Sequence, residues 1–296
     1  MKNILKLITL FVLISCTNPK NNYSEQLIES KKDSLNFKNG YSEVNGIKMY
    51  YEIYGQGKPL VLIHGAGSTI QTSFGRVIPL FSKDRQLICV ELQAHGRTED
   101  RQSSITFEQD ADDVAALLKN LLIEKADILG FSNGGNTALQ ISIRHPQLCN
   151  KIIGASILLK REGALPQFWE FIKQGNFDQM PQAYKDEFMK VNPDSAKLMN
   201  MFLKCADRMN HFKDFTDEQI KSISVPVLLI NGDKDVATSE HVVAMSKLIP
   251  ICQLAIIPGG HGEYIGEIST LKPGYKDEDF IVPLIENFLN EESNSK

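Results

Sequence analysis

The stretch Gly130-Phe131-Ser132-Asn133-Gly134 places a serine between two segments of different periodicity. An apolar run, 126–129, precedes it, and a segment with helical spacing, 133–145, follows it. A side chain at the tip of so sharp a strand-to-helix turn has costly backbone angles, and flanking glycines remove the Cβ atoms that would clash. Such a turn holds the Ser132 hydroxyl clear of a sheet and leaves the next N–H free to receive negative charge. We therefore interpret Ser132 as a nucleophile.

Short apolar runs recur along the chain and are separated by helix-like segments. The runs are 60–63, 86–92, 126–129, 151–157, 227–230 and 253–257. This alternation predicts an α/β fold in which a mainly parallel sheet carries helices on both faces. Before the first run, alternating residues on either side of Asn45-Gly46 predict a β-hairpin over 41–54. The clearest helix is predicted over 107–122, with Thr106 as its N-cap.

Residues 161–222 break this rhythm, because they contain several helical pieces and no strand-like run. We predict a helical cap over 161–222, inserted into a core made of 39–160 and 223–296. The cap segment is rich in aromatic residues and holds Met180, Met189, Met199, Met201 and Met209. Two interpretations stay open: flexible thioethers suit a surface that closes over an apolar ligand, and the same side chains can simply pack the helices.

Two further loops carry an acid and a histidine where predicted strands end. Asn231-Gly232-Asp233-Lys234-Asp235 follows the run that ends at Ile230, and Pro258-Gly259-Gly260-His261-Gly262 follows the run that ends at Ile257. Loops at the carboxyl ends of parallel strands converge on one edge of the sheet, so both are expected near the serine. A serine with a general base and an acid that orients the base is a set that cleaves acyl compounds.

The elbow, the cap and the order serine, acid, histidine resemble the α/β-hydrolase superfamily over residues 41 to about 290. The resemblance implies an α/β-hydrolase fold with Ser132 as nucleophile and His261 as general base. It also implies Asp235 as the acid, because the family's acid usually stands three residues after the glycine, here Gly232. The alternative acid is Asp233, which could otherwise form or cap the turn.

The resemblance further implies an oxyanion hole made of two backbone N–H groups. One belongs to Asn133, directly after the serine, and the other to Ala66, after the strand end at His64-Gly65. His64 and His95 occupy positions that shape loops in the family, whereas His241 is expected at the surface or in the cap.

The function implied is hydrolysis of a small-molecule carboxylic ester or lactone through an acyl-enzyme. Macrocyclic lactones are among the candidate substrates, because macrolide esterases belong to this superfamily. The alternatives are a non-hydrolytic lyase that uses the same triad, a ligand-binding lipoprotein, and a hydrolase of amides or carbon–carbon bonds. The sequence contains no metal-ligand cluster, phosphate loop or dinucleotide fingerprint, so we expect no metal and no cofactor.

The N-terminal segment differs from the rest of the chain. Lys2 and Lys6 give this segment a basic start, and an apolar stretch leads from there to Leu13-Ile14-Ser15-Cys16. Residues 1–16 resemble a bacterial lipoprotein signal with Cys16 as the lipidated residue. Residues 17–38 are predicted to be a solvated tether to the membrane of the cell envelope, with outer-membrane sorting favoured. An ordinary signal peptide or a buried helix is the alternative.

Charge excludes one class of partner. The formal net charge is −4 with a pI near 5.9, and no stripe of lysine and arginine with interleaved aromatic residues occurs. Nucleic acid is therefore not an expected partner. The sequence makes no prediction of oligomeric state.

Overall fold

A computed structural model describes residues 35–292 except 273 and 275. The strands are β1 (Phe37–Val44), β2 (Ile47–Tyr54), β3 (Lys58–Ile63), β4 (Arg85–Val90), β5 (Ala126–Phe131), β6 (Cys149–Ala155), β7 (Val227–Gly232) and β8 (Cys252–Ile257). They form one sheet in the order β1-β2-β4-β3-β5-β6-β7-β8. The pairs β1–β2 and β2–β4 are antiparallel, and the other neighbours are parallel.

The α-helices are α1 (Ile70–Phe74), α2 (Ile78–Phe81), α3 (Phe107–Asn120), α4 (Asn133–Arg144), α5 (Pro166–Gln174), α6 (Gln182–Val191), α7 (Ser195–Asn210), α8 (Asp217–Lys221), α9 (Ser239–Leu248) and α10 (Glu278–Asn290). Short 3₁₀ turns connect several of them. The predicted fold class, a mainly parallel sheet with helices on both faces, is confirmed.

Both faces of the central strands β3 to β7 are buried, as their continuous apolar runs require. In β3, Val61 and Ile63 pack into a core with residues of α3, α4 and α9, while Leu60 and Leu62 pack into a second core with residues of α1, α2 and α10. This alternation follows from the two-residue period of a strand. The ends of the parallel strands are thereby held rigidly at one edge.

Two predicted boundaries are corrected by two residues each. β1 begins at Phe37, inside the predicted tether 17–38, because the Phe37 ring stacks on Tyr54 with centroids 4.9 Å apart. α3 begins after Thr106, whose side chain accepts a hydrogen bond from the N–H of Gln109, but it ends at Asn120 rather than 122. Leu122 has a φ of 58°, which a continuing right-handed helix does not allow.

Helices α5 to α8 lie between β6 and β7, within the segment predicted as a cap. They contribute most of a third apolar cluster, which contains Ile105, Met180, Phe188, Leu198, Met201 and Cys205. Cys16 and the predicted signal 1–16 lie outside the described residues, as does most of the predicted tether. Within the residues that are described, no helix combines the length and the apolarity that crossing a bilayer requires.

Candidate active site

The turn between β5 and α4 holds Ser132 in a strained conformation, with φ 54° and ψ −123°. Its flanking glycines are sterically required. A Cβ at Gly130 would lie 2.2 Å from the carbonyl oxygen of Gly134, and a Cβ at Gly134 would lie 2.1 Å from that of Ile63. The strand and the helix therefore pack closely enough to hold the serine at the tip of the bend.

A chain of hydrogen bonds links three side chains from three loops. The Oγ atom of Ser132 lies 3.0 Å from Nε2 of His261, and Nδ1 of His261 lies 2.6 Å from Oδ1 of Asp235. The other candidate acid, Asp233, accepts a hydrogen bond from the N–H of Gly259 at 2.9 Å. Asp233 thus holds the histidine loop against the acid loop, and Asp235 is the carboxylate in contact with the imidazole.

Ser156, which sequence reasoning missed, fixes the carboxylate of Asp235 from the end of β6. Its hydroxyl donates to Oδ2 of Asp235 at 2.6 Å and contacts the hydroxyl of Tyr264 at 2.8 Å. The N–H groups of Gly232 and Val236 also donate to Asp235, at 3.2 and 2.7 Å. Burial alone would raise the pKa of Asp235, but the charge of His261 and these donors outweigh burial and lower it.

The same electrostatics favour the cationic form of His261. Burial lowers its pKa, but the charge and the hydrogen bond of Asp235, together with the charge of Glu267, outweigh burial and raise the pKa above 6.5. An imidazole with a raised pKa takes a proton from a hydroxyl more readily than an ordinary histidine does. The arrangement can therefore deprotonate Ser132 as it attacks.

The two predicted oxyanion donors lie beside the serine. Asn133 is the first residue of α4, so its N–H belongs to the positive end of that helix. The loop of Ala66 is close, because a Cβ at Gly65 would lie 3.3 Å from Cβ of Ser132. Among the described residues, neither the N–H of Ala66 nor that of Asn133 donates a hydrogen bond. Both are available to an oxyanion on the carbon that Ser132 attacks.

His64 links the loop that carries Ala66 to the segment after β4. Its Nε2 accepts from the N–H of Leu92 at 3.0 Å, and Nδ1 contacts the carbonyl of Gly65 at 2.7 Å. Burial lowers the pKa of His64 to about 4, which keeps the ring neutral and able to accept. His241, which was expected at the surface or in the cap, is instead a buried residue of α9 that packs against Gly163 and accepts from the N–H of Leu159 at 3.2 Å.

An apolar cavity of about 180 Å³ opens between the oxyanion loop and the cap. Its lining includes Ala66, Phe171, Met180, Tyr184, Phe202 and Met209. Both interpretations of the cap methionines stay open, because Met180 and Met209 line this cavity and also pack in apolar clusters, whereas Met201 only packs inside the third cluster. Elsewhere in the described part of the chain, no group of three His, Cys, Asp or Glu side chains could hold a metal ion.

Comparison with known proteins gives the family. A family model described as the alpha/beta hydrolase fold matches residues 58–215. The uncharacterized hydrolase YugF of Bacillus subtilis (strain 168) is 26% identical over 223 residues, which cover 65% of this chain and 79% of that protein. The 2-hydroxy-6-oxo-6-(2'-aminophenyl)hexa-2,4-dienoic acid hydrolase of Metapseudomonas resinovorans is 23% identical over 236 residues, which cover 72% of this chain and 80% of that protein.

The fold also matches solved structures. The enol-lactonase from Burkholderia xenovorans LB400 superimposes with a TM-score of 0.66 at 21% identity, covering 85% of this chain and all of that chain. At that identity the likeness shows the fold. The family model spans more than half of the 296 residues, and the protein therefore belongs to the α/β-hydrolase family.

Proposed function

We propose that this α/β-hydrolase is a serine hydrolase that cleaves a carboxylic ester or lactone through an acyl-enzyme. One observation carries the proposal: the unbroken hydrogen-bond chain from Ser132 through His261 to Asp235, with distances of 3.0 and 2.6 Å. Ser132 is partly exposed, whereas the carboxylate side chain of Asp235 is fully buried. A nucleophile must be accessible to its substrate, whereas an acid that orients the histidine is held in place by the protein around it.

The reaction follows from these contacts. His261 removes the hydroxyl proton as Oγ of Ser132 bonds to the carbonyl carbon, and the N–H groups of Ala66 and Asn133 bind the resulting oxyanion. The C–O bond to the leaving group breaks, and His261 returns the proton to the alcohol oxygen. Water then attacks the acyl-enzyme with His261 again as base, which releases the acid and restores Ser132. For a lactone, the acid and the alcohol remain one molecule.

The cavity supports a substrate with a small apolar group. Its volume of about 180 Å³ is below the usual range of roughly 300–1,000 Å³ for sites that enclose a whole drug-sized ligand. We therefore propose that one apolar arm of the ester or lactone lies against Met180 and Phe202. A macrocyclic lactone would place only part of its ring there, with the remainder outside the cap.

Purified protein, compared with Ser132→Ala, tests this function. The panel contains short and medium acyl esters, simple lactones and macrocyclic lactones, with gain of one water read by mass. We expect turnover of small apolar esters or lactones in the wild type and loss of turnover in the variant. Turnover of an ester by Ser132→Ala at the wild-type rate would contradict the proposal.

A second candidate, hydrolysis of a carbon–carbon bond, is favoured by one relative. The M. resinovorans protein is named as a hydrolase of a 2-hydroxy-6-oxo-dienoic acid. The same serine and histidine would act on such a ketone, with a carbon atom in place of the alcohol oxygen as leaving group. Loss of the absorbance of a conjugated dienoic acid, with esters and lactones untouched, would favour this candidate.

We also propose that Cys16 carries a lipid that anchors the protein to the membrane of the bacterial cell envelope. The support is the sequence Leu13-Ile14-Ser15-Cys16 after a short apolar stretch. Metabolic labelling with an alkynyl fatty acid tests it. We expect label on the wild type and none on Cys16→Ala, whereas equal labelling of both would contradict the anchor.

A further inference from the structure

A second carboxylate, Glu267, lies in the loop that carries the catalytic histidine. Its side chain is buried, with 1% of the residue exposed. Oε2 accepts from the N–H of Ser269 at 3.0 Å and from the hydroxyl of the same residue. Oε1 is buried and has no hydrogen-bond partner within 3.5 Å. A buried carboxylate is costly unless it is hydrogen-bonded, and the N–H and hydroxyl of Ser269 supply two of the bonds that hold this one.

Glu267 packs against Gly262, the residue that follows His261. Its N–H donates to the carbonyl of Gly262 at 3.2 Å. A Cβ at Gly262 would lie 2.9 Å from Cβ of Glu267 and 2.6 Å from the ring of Phe131. The Phe131 ring in turn lies against His261, with centroids 4.9 Å apart. The backbone of Gly262 thus separates the side chains of Glu267 and His261, and because Glu267 is buried its charge is less screened than that of a surface carboxylate.

The cap reaches the same carboxylate through Tyr184 of α6. Its hydroxyl interacts with Glu267, Ser269 and Ser68, and its ring lines the apolar cavity. Burial is the largest influence on Glu267 and raises its pKa above 4.5, against the opposing hydrogen bonds of Ser269 and Tyr184 and the charge of His261. The charged groups around His261 are thus Asp235 on the Nδ1 side and Glu267 behind the loop.

We propose that Glu267 is a positioning residue which, together with Asp235, stabilises the cationic form of His261 that arises in acylation and deacylation. The proposal rests on the serine-hydrolase function proposed above. No proton moves to Glu267. Its negative charge lowers the free energy of the imidazolium while the proton of Ser132 or of water is held there. Asp235 orients the ring through a hydrogen bond, whereas Glu267 acts through space.

The sign of the effect gives a distinctive test. Removing the charge of Glu267 lowers the pKa of His261, so the neutral base persists to lower pH, but the imidazolium in the transition state loses stabilisation. In Glu267→Gln we expect the acid limb of the rate profile to move to lower pH while the plateau rate falls by roughly tenfold. A purely structural role would lower the plateau and leave the limb in place.

The measurement is the rate of labelling by a fluorophosphonate from pH 5 to pH 9, which needs no knowledge of the substrate. Glu263→Gln is the matched control, since Glu263 lies in the same loop but pairs with Lys272 and accepts from the N–H of Gly260 at 2.9 Å. Its limb should coincide with that of the wild type. Glu267→Asp keeps the charge and should also retain the wild-type limb, which tests the proposal even where Glu267→Gln folds poorly.

The role of Glu267 is overturned if the acid limb of Glu267→Gln stays at the wild-type pH, or if the acid limb of Glu267→Asp moves as far as that of Glu267→Gln. Either result leaves the serine-hydrolase function standing. Absence of labelling in the folded wild-type protein overturns both. Circular dichroism and melting temperature establish that each variant is folded.

Discussion

The Nε2 atom of His95 accepts a hydrogen bond from the N–H of Gly67 at 3.1 Å, so a histidine outside the proposed triad fixes the loop that carries Ala66, the proposed oxyanion donor. The other ring nitrogen lies 2.8 Å from the carbonyl of Gln93. Burial lowers the pKa of His95 well below 6.5. The ring therefore remains a neutral acceptor throughout the pH range in which His261 acts.

Replacing His95 by leucine removes that acceptor from the N–H of Gly67 and leaves only the weaker sulfur acceptor of Cys205 nearby. We expect kcat/KM to fall by about tenfold or more, because a displaced Ala66 donor binds the oxyanion less well. His211→Leu is the control, since His211 is exposed on the cap. Equal activities of the two variants, both folded, would show that His95 does not support the oxyanion loop.

Asp235→Asn and Asp233→Asn separate the two aspartates of one loop. Asp235→Asn removes the charge that faces Nδ1 of His261, and we expect kcat to fall by about 10⁴-fold. Asp233→Asn keeps an oxygen for the N–H of Gly259, so activity should stay within about threefold of the wild type. Steady-state kinetics of the preferred ester are the measurement, and the reverse order of the two losses would move the acid role to Asp233.

Ser156→Ala tests whether the Ser156 hydroxyl holds the carboxylate of Asp235 in place. The change removes the donor to Oδ2 of Asp235, and Gly262 loses the acceptor of its N–H, 3.3 Å away. We expect kcat to fall by roughly tenfold, with little change in KM, because the orientation of His261 becomes less fixed. Ser156→Gly relieves the positive φ of 55° but lacks the same hydroxyl, so it should lose activity to a similar degree. Recovery of full activity in Ser156→Gly would assign the loss to backbone strain instead.

Glu91 gives the protein a pH-dependent stability. Burial raises its pKa from 4.5 to about 7, against the opposing charge of Arg97. A carboxyl with a raised pKa in the folded state binds more protons when folded, so its contribution is full below pH 4.5 and is lost as the pH rises through 7. As the pH rises from about 5 to 8, the melting temperature of the wild type should fall relative to that of Glu91→Gln.

Glu124→Gln is the control for that series, because Glu124 is exposed. Its melting temperature should follow the wild type at every pH. A constant difference between the wild type and Glu91→Gln across the range would mean that Glu91 has the same pKa in the folded and unfolded states.

The sequence predicted the features that depend on local order along the chain. The elbow at Ser132 and the hairpin at Asn45-Gly46 each need an unusual backbone conformation, and a few neighbouring residues are enough to predict it. The α/β alternation also appears in the sequence, because strands buried on both faces read as apolar runs. The convergence of His261 and Asp235 followed from strand ends meeting at one edge of a parallel sheet.

Other parts of the site depend on side chains that meet only in three dimensions. Ser156 follows β6 and gives no local signal that it donates to Asp235, and Glu267 reads as one more acidic residue near a chain end. His241 was expected at the surface or in the cap, but it is a buried residue of α9, and the sequence gives no sign that Gly163 leaves room for its imidazole. The available signal for Ser156 was a single hydroxyl inside the apolar run 151–157, which marks a polar side chain at a strand end but does not name its partner.

Labelling of the purified protein by a fluorophosphonate, read by intact mass and peptide mapping, shows whether Ser132 is an activated nucleophile. We expect one adduct per chain, located on Ser132 and absent from Ser132→Ala, with labelling slowed strongly in His261→Ala. A folded wild-type protein that stays unlabelled, or an adduct on another residue that persists in Ser132→Ala, would contradict the assignment of Ser132 as the nucleophile.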